Sequence, residues 1–256
     1  MRLICAATLL AAATFAHAEA AEISVISPGV ISNSGLREVA AAFQAKTGIK
    51  VNIIVSGMGE IVGNIKTKAP AVDVMMLPVD LMATLDLEGG IAGDDFTPLG
   101  RVDIGLFVKP GAPHPDIANT EKLIAALKTA SIVFYSDPVS GSMQAAMSDR
   151  MLKRPDFAGV HSQGVKGDAE PALKRGDGDQ NAMGLGLIHG VHNRDGKPTD
   201  NPYLVGPLPF ELGMHMDMAT GVNTRSADRK DAEAFIRFAI SPEMKPLWRA
   251  GGTDRY

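Results

Sequence analysis

Three short stretches place serine hydroxyls and glycines directly ahead of a helical pattern, each just after a run of apolar residues. They are Ser27-Pro28-Gly29-Val30-Ile31-Ser32-Asn33-Ser34, Ser56-Gly57-Met58-Gly59 and Asp137-Pro138-Val139-Ser140-Gly141-Ser142. Amide groups at a helix start have no intrahelical partner, and the helix dipole adds positive potential there, so such loops favour anionic oxygens. Serine hydroxyls add neutral donors. None of the three carries lysine or arginine, so a site built from them suits a small, strongly hydrogen-bonding oxyanion or a polar neutral ligand. The same residue types are ordinary N-caps and turn formers, and any one loop alone reads first as a cap. The repetition at three strand ends is what favours binding.

Proton-transfer chemistry would draw on Glu60, directly after the second loop, and on His189, His192 and His215, since it needs an acid or base beside the ligand. Each has a plainer reading. A first-turn acid steadies its helix, and a histidine near a strand end is commonly a surface or hydrogen-bonded residue. Arg37, Lys66 and Arg150 follow the loops on helices and reach a cleft only if their faces turn inward. His189 and His192 lack an HExxH arrangement, and Asp177, Asp179 and Asp195 have no ligand spacing, so neither a metal nor a cofactor is expected. Gly-x-Ser-x-Gly is absent, and Gly184-Leu185-Gly186 is a glycine pair in a strand rather than a dinucleotide fingerprint.

Composition narrows the setting. Met1-Arg2, the apolar run from Leu3 to Phe15 and then Ala16-His17-Ala18-Glu19-Ala20 read as a secretory signal peptide over residues 1–20, cut after Ala18 or Ala20. The run is shorter than the roughly 20 apolar residues of a membrane anchor. The remainder, roughly 236 to 238 residues, is enough for one large domain or two lobes. The single cysteine, Cys5, lies in the leader, which excludes disulfides and thiolate chemistry downstream. Stability must come from an ordinary core, which the 45% hydrophobic content can supply. The formal net charge of −4, scattered lysines and arginines, one tryptophan and three tyrosines offer no basic stripe and few stacking rings, so nucleic acid is not expected as a partner. No later segment is apolar enough to embed in a membrane.

Behind the loops, strands and helices alternate. Ile23 to Ile26, Lys50 to Val55 and Val72 to Leu77 read as strands, and Gly35 to Lys46, Glu60 to Lys68 and Val79 to Glu88 as helices. This order predicts a mainly parallel sheet with helices on both faces. Arg101 to Lys109 is a longer strand ending in a proline-rich connector. A second series follows, with a helix at Thr120 to Thr129, a strand at Ser131 to Ser136, a helix at Ser140 to Lys153, and strands near Asn181 to Ile188 and Tyr203 to Val205. A polar loop is expected at Asn193 to Asn201, and Met214 to Val222 is extended before two closing helices. The fold class is therefore α/β with two lobes, residues 21–100 plus 212–256 and residues 101–211, joined by two crossover strands. The interlobe cleft is the default ligand site.

The stretches TGIKVNIIVSGMGEI, APAVDVMMLP, RVDIGLFVKPGAPHPDI, YSDPVSGS and VGPLP resemble the molybdate-binding-protein-like group of periplasmic solute-binding proteins, over about Glu22 to Trp248. That resemblance implies a type II periplasmic-binding-protein fold whose lobes close on an oxyanion, with an ABC permease as partner. Together with the leader it points to the periplasm; the expected ligand is a molybdate-like oxyanion or small carboxylate, and a monomer is expected. Carried over by position, it implies ligand contacts from Ser27, Ser56, Gly57, Ser140 and Gly141. The later crossing has no tyrosine, and His215 is the nearest polar side chain there; His189 and His192 stand where many relatives show glutamines. The group also includes a periplasmic aconitate isomerase. This leaves an enzymatic alternative, an isomerase of a small unsaturated polycarboxylate that uses Glu60, His189 or His215.

Overall fold

The computed structural model describes residues 21–66, 72–93, 96–140, 142–167, 169–175, 179–188 and 203–255. The expected leader, Gly141, His189, His192 and the loop at 193–201 lie outside the described residues. Strand β1 (Glu22–Ser27) leads through a helical turn, α1 (Gly29–Ile31), into α2 (Arg37–Thr47). Then come β2 (Lys50–Val55), α3 (Met58–Lys66), β3 (Val74–Pro78) and α4 (Val79–Leu87). The long strand β4 (Thr97–Val108) opens the second series: α5 (Thr120–Thr129), β5 (Val133–Ser136), α6 (Met143–Leu152), β6 (Ser162–Val165), α7 (Ala169–Lys174), β7 (Met183–Leu187) and β8 (Leu204–Pro207). Strand β9 (His215–Val222), α8 (Arg229–Ala239), α9 (Lys245–Gly251) and the short β10 (Thr253–Asp254) complete it.

The strands form one sheet in the order β2-β1-β3-β9-β4-β7-β5-β6, with β10 and β8 also paired to β4. The expected parallel arrangement holds for the outer strands only: β1 is parallel to β2 and β3, and β5 to β6 and β7. The centre is antiparallel, because β4 and β9 run past each other and their pairings with β3 and β7 are antiparallel as well. Strand β4 is shared: Thr97 to Asp103 face β9, and Ile104 to Val108 face β7.

Packing follows the two-residue period of the strands. Along β3, Val74 and Met76 enter a core with Phe43, Phe235 and Trp248, whereas Met75 and Leu77 enter another with Ile61 and Met82. Along β4, Ile104, Leu106 and Val108 join Leu123, Leu127 and Phe157, while Phe107 turns to Phe134 and Leu173. Both faces of the sheet are therefore buried under helices on either side of the crossing, as the apolar runs require.

The segment after β1 differs from expectation. A loop reaching Gly35 is expected, yet helix begins at Gly29, because the Pro28 carbonyl accepts from the amides of Ile31 and Ser32 at 3.1 Å each. A wider-wound stretch from Ser32 to Leu36 then kinks at Gly35, whose φ of 115° is one that glycine adopts without a Cβ penalty. The C-terminal end of the chain clamps this kink. Trp248 is fully buried beside it, and Thr253 donates its hydroxyl to the Ser34 carbonyl at 2.7 Å. Strands β6 and β10 were not expected from the sequence; the first reads Ser-Gln-Gly-Val, with no apolar alternation, and the second has two residues.

Candidate functional site

The loops after β1, β2 and β5 converge on one cleft of about 320 Å³. The first contributes Pro28, Gly29, Val30 and Asn33, the second Ser56, Gly57 and Met58, and the third Ser140 and Ser142 with Met143 and Gln144 of α6. Leu187 of β7 and Met216 of β9 complete the described lining. This set includes no charged side chain.

Each polar group is held by local structure. Ser142 is the N-cap of α6, where its Oγ accepts from the Ala145 amide at 3.3 Å, and it also accepts from the Ser140 hydroxyl at 3.2 Å. The Ser142 amide in turn donates to Ser140 Oγ at 3.3 Å. Ser56 donates its hydroxyl to Glu60 Oε2 at 2.5 Å, and the Gly57 carbonyl receives the Ile61 amide, opening α3. Gln144 is buried, and its Nε2 donates to Ser136 Oγ at 2.7 Å. The helix starts of α3 and α6 add positive potential to the serines.

Of the residues singled out in the sequence, Ser56, Gly57 and Ser140 come together here. Ser27 does not line the cleft: the strand continues through it, and its fully buried hydroxyl lies 2.7 Å from Ser32 Oγ. Its carbonyl accepts the Ser56 amide at 3.2 Å, so Ser27 positions the second loop through its backbone. Arg37 and Arg150 are exposed and are not part of the lining. Asn33, Ser142 and Gln144 were missed as individual site residues. Asn33 and Ser142 lie in the quoted loops, whereas Gln144 carries no signal beyond its place in the first turn after the third loop.

His215 faces elsewhere. Neighbouring side chains on a strand point to opposite faces, and it is Met216 that reaches the cleft. His215 lines a separate pocket of about 460 Å³ with Arg101, Asp103 and Phe210. Its ring stacks on Phe210 with centroids 5.3 Å apart, and Arg101, 2.9 Å from Asp217, also covers the Phe210 ring. Burial pushes the Asp103 carboxyl above its usual range, Arg101 and His215 oppose that, and Asp254 and Asp217 reinforce it. The structure thus separates His215 from the serine loops.

The profile of bacterial extracellular solute-binding proteins matches residues 27–254. The chain belongs to this family. Solved structures share the solute-binding fold at low identity. One is described as the substrate-binding domain of a molybdenum ABC transporter from Clostridium difficile (TM-score 0.71, 15% identity, covering 92% of this chain and 99% of that one). Another is the periplasmic molybdate-binding protein of Azotobacter vinelandii (TM-score 0.59, 18% identity, 90% and 98%). In sequence, the chain is 35% identical over 124 residues to an aconitate isomerase from a Pseudomonas species, a match spanning 46% of this chain and 47% of that protein. The chain thus aligns with about half the length of that curated relative. The family is one of extracellular solute-binding proteins, and among the described residues no helix is long and apolar enough to cross a membrane.

Proposed function

We propose that this solute-binding protein captures a small anion in the cleft and presents it to an ABC-type importer. The observation that carries the reading is the convergence of three serine-glycine loops from both sides of the crossing strands on one cleft with no charged side chain in its described lining. Neutral donors and helix-start amides can hold an anion there without a counter-charge. The lobes are residues 21–100 with 212–256, and 101–211. Contacts from both favour the closed arrangement, a hinge motion about β4 and β9.

Thermal unfolding tests this. A ligand present at 100 times its dissociation constant adds about 2.7 kcal/mol of stability. Molybdate, sulfate or a small carboxylate is expected to raise the midpoint, and Ser142→Ala to reduce the rise. No response to any of these anions contradicts the proposal.

A second reading rests on the Ser56–Glu60 pair together with the similarity to an aconitate isomerase. In this reading the Glu60 carboxylate, bonded to Ser56 and itself outside the described lining, would accept a proton from an allylic carbon and return it. Glu60 is the residue for that role, and His215 faces the other pocket. Conversion of trans- to cis-aconitate by the purified protein, lost in Glu60→Gln, supports the isomerase; absence of turnover removes it.

A further inference from the structure

The polar and apolar parts of the cleft are unequal, and the inequality bears on which anion fits. Val30, Met58, Met143, Leu187 and Met216 bring aliphatic and thioether surface to the lining from five separate elements. The serine protons are mostly committed. Ser56 gives its proton to Glu60, and Ser140 gives its own to Ser142. Ser142 receives two hydrogen bonds, from Ser140 and from the Ala145 amide, which leaves its proton as the serine donor with no acceptor among the described residues.

A tetrahedral oxyanion presents oxygen in every direction and requires donors in every direction, because a charged oxygen against apolar surface loses hydration without replacement. A carboxylate confines its charge to one end. Its carbons can lie on methionine side chains, which adapt to irregular shapes. A second carboxylate would call for a cationic partner, and the described lining has none.

We infer that the cleft selects a short-chain monocarboxylate, with the carboxylate at Ser142 and the start of α6 and the carbon chain across Met58, Met143 and Met216. This rests on the reading of the cleft as an anion-capture site.

Calorimetric titration of the intact protein with acetate, propionate, butyrate, molybdate and sulfate tests it. Each buried methylene is expected to tighten binding about fourfold, so affinity rises from acetate to butyrate, and butyrate binds more tightly than either oxyanion. Met143→Gln is expected to flatten that ladder; Met58→Gln serves if that variant fails to fold. A flat ladder in the wild type, or one left equally steep by the folded variant, overturns the inference. Tighter binding of molybdate or sulfate also overturns it and leaves anion capture standing. No binding of any of the five overturns both.

Discussion

Gly251 of α9 lies against the backbone of Gly35, so closely that a Cβ built on Gly251 would stand 2.2 Å from the Gly35 nitrogen and 2.3 Å from the Ser34 carbonyl carbon. The end of the chain is thereby packed onto the kink immediately behind the first cleft loop. Gly35 is equally constrained, since a Cβ there would meet the Trp248 backbone at 2.9 Å. Neither neighbour is the movable end of a side chain, so relief would require a backbone shift.

Gly251→Ala is therefore expected to destabilise the fold by about 3 kcal/mol or more, at the upper end of overpacking costs. It should also weaken ligand binding, because the displaced kink carries Asn33. Denaturant unfolding and titration of the folded fraction check the two effects. Unchanged stability would mean that α9 does not clamp the kink.

The two serines of the third loop should separate on substitution. Ser142→Ala removes an N-cap, at about 1 kcal/mol, and also a hydroxyl proton with no acceptor among the described residues. Ser140→Ala removes a hydroxyl whose proton goes to Ser142. Anion affinity is expected to fall more in the first, by roughly tenfold for the loss of a charge-assisted hydrogen bond. Titration of both variants decides it.

Asp73 should make the fold acid-sensitive. Burial raises its pKa, but the hydrogen bonds from the Ser24 amide, the Ser226 hydroxyl and the Ser24 hydroxyl, at 2.7 to 2.8 Å, outweigh that and hold the carboxyl below its usual range. A depressed carboxyl contributes stability above its unfolded pKa of about 3.9, and that contribution is lost as pH falls through the folded value. Asp73→Asn is expected to cost about 1–2 kcal/mol at neutral pH, with the gap to wild type narrowing below about pH 4. A gap independent of pH would contradict the charge-based account.

Asp103 should behave in the opposite sense. Its pKa is raised, chiefly by burial, so the folded state holds the proton more tightly than the unfolded chain does. Stability is then lost as pH rises from about 4 through the folded value. Asp103→Asn removes that loss and is expected to raise the unfolding midpoint at neutral pH, with the advantage fading in acid. A lower midpoint at neutral pH would show that attraction to Arg101 and His215 dominates instead.

Much of the framework was legible because apolar periodicity reports burial. The bounds expected for β2 and α5 are those observed. What escaped depends on three-dimensional placement. Strand β6 is an edge of the sheet with little apolar pattern of its own. That β1 extends through Ser27, turning its hydroxyl inward to Ser32, depends on where the strand stops and the helix starts. Alternation on β9 separates His215 from Met216, but which of them meets the cleft follows only from the antiparallel crossing with β4. The cleft role of Gln144 likewise depends on how α6 is docked, not on a motif.

Anion capture at the converging loops is tested most directly by mapping backbone amide chemical shifts during titration with butyrate and, separately, with molybdate. The largest changes are expected at Gly57, Met58, Met143 and Gln144, with Arg101, Phe210 and His215 little affected. Changes concentrated at Arg101, Phe210 and His215, or none with either anion, would contradict it.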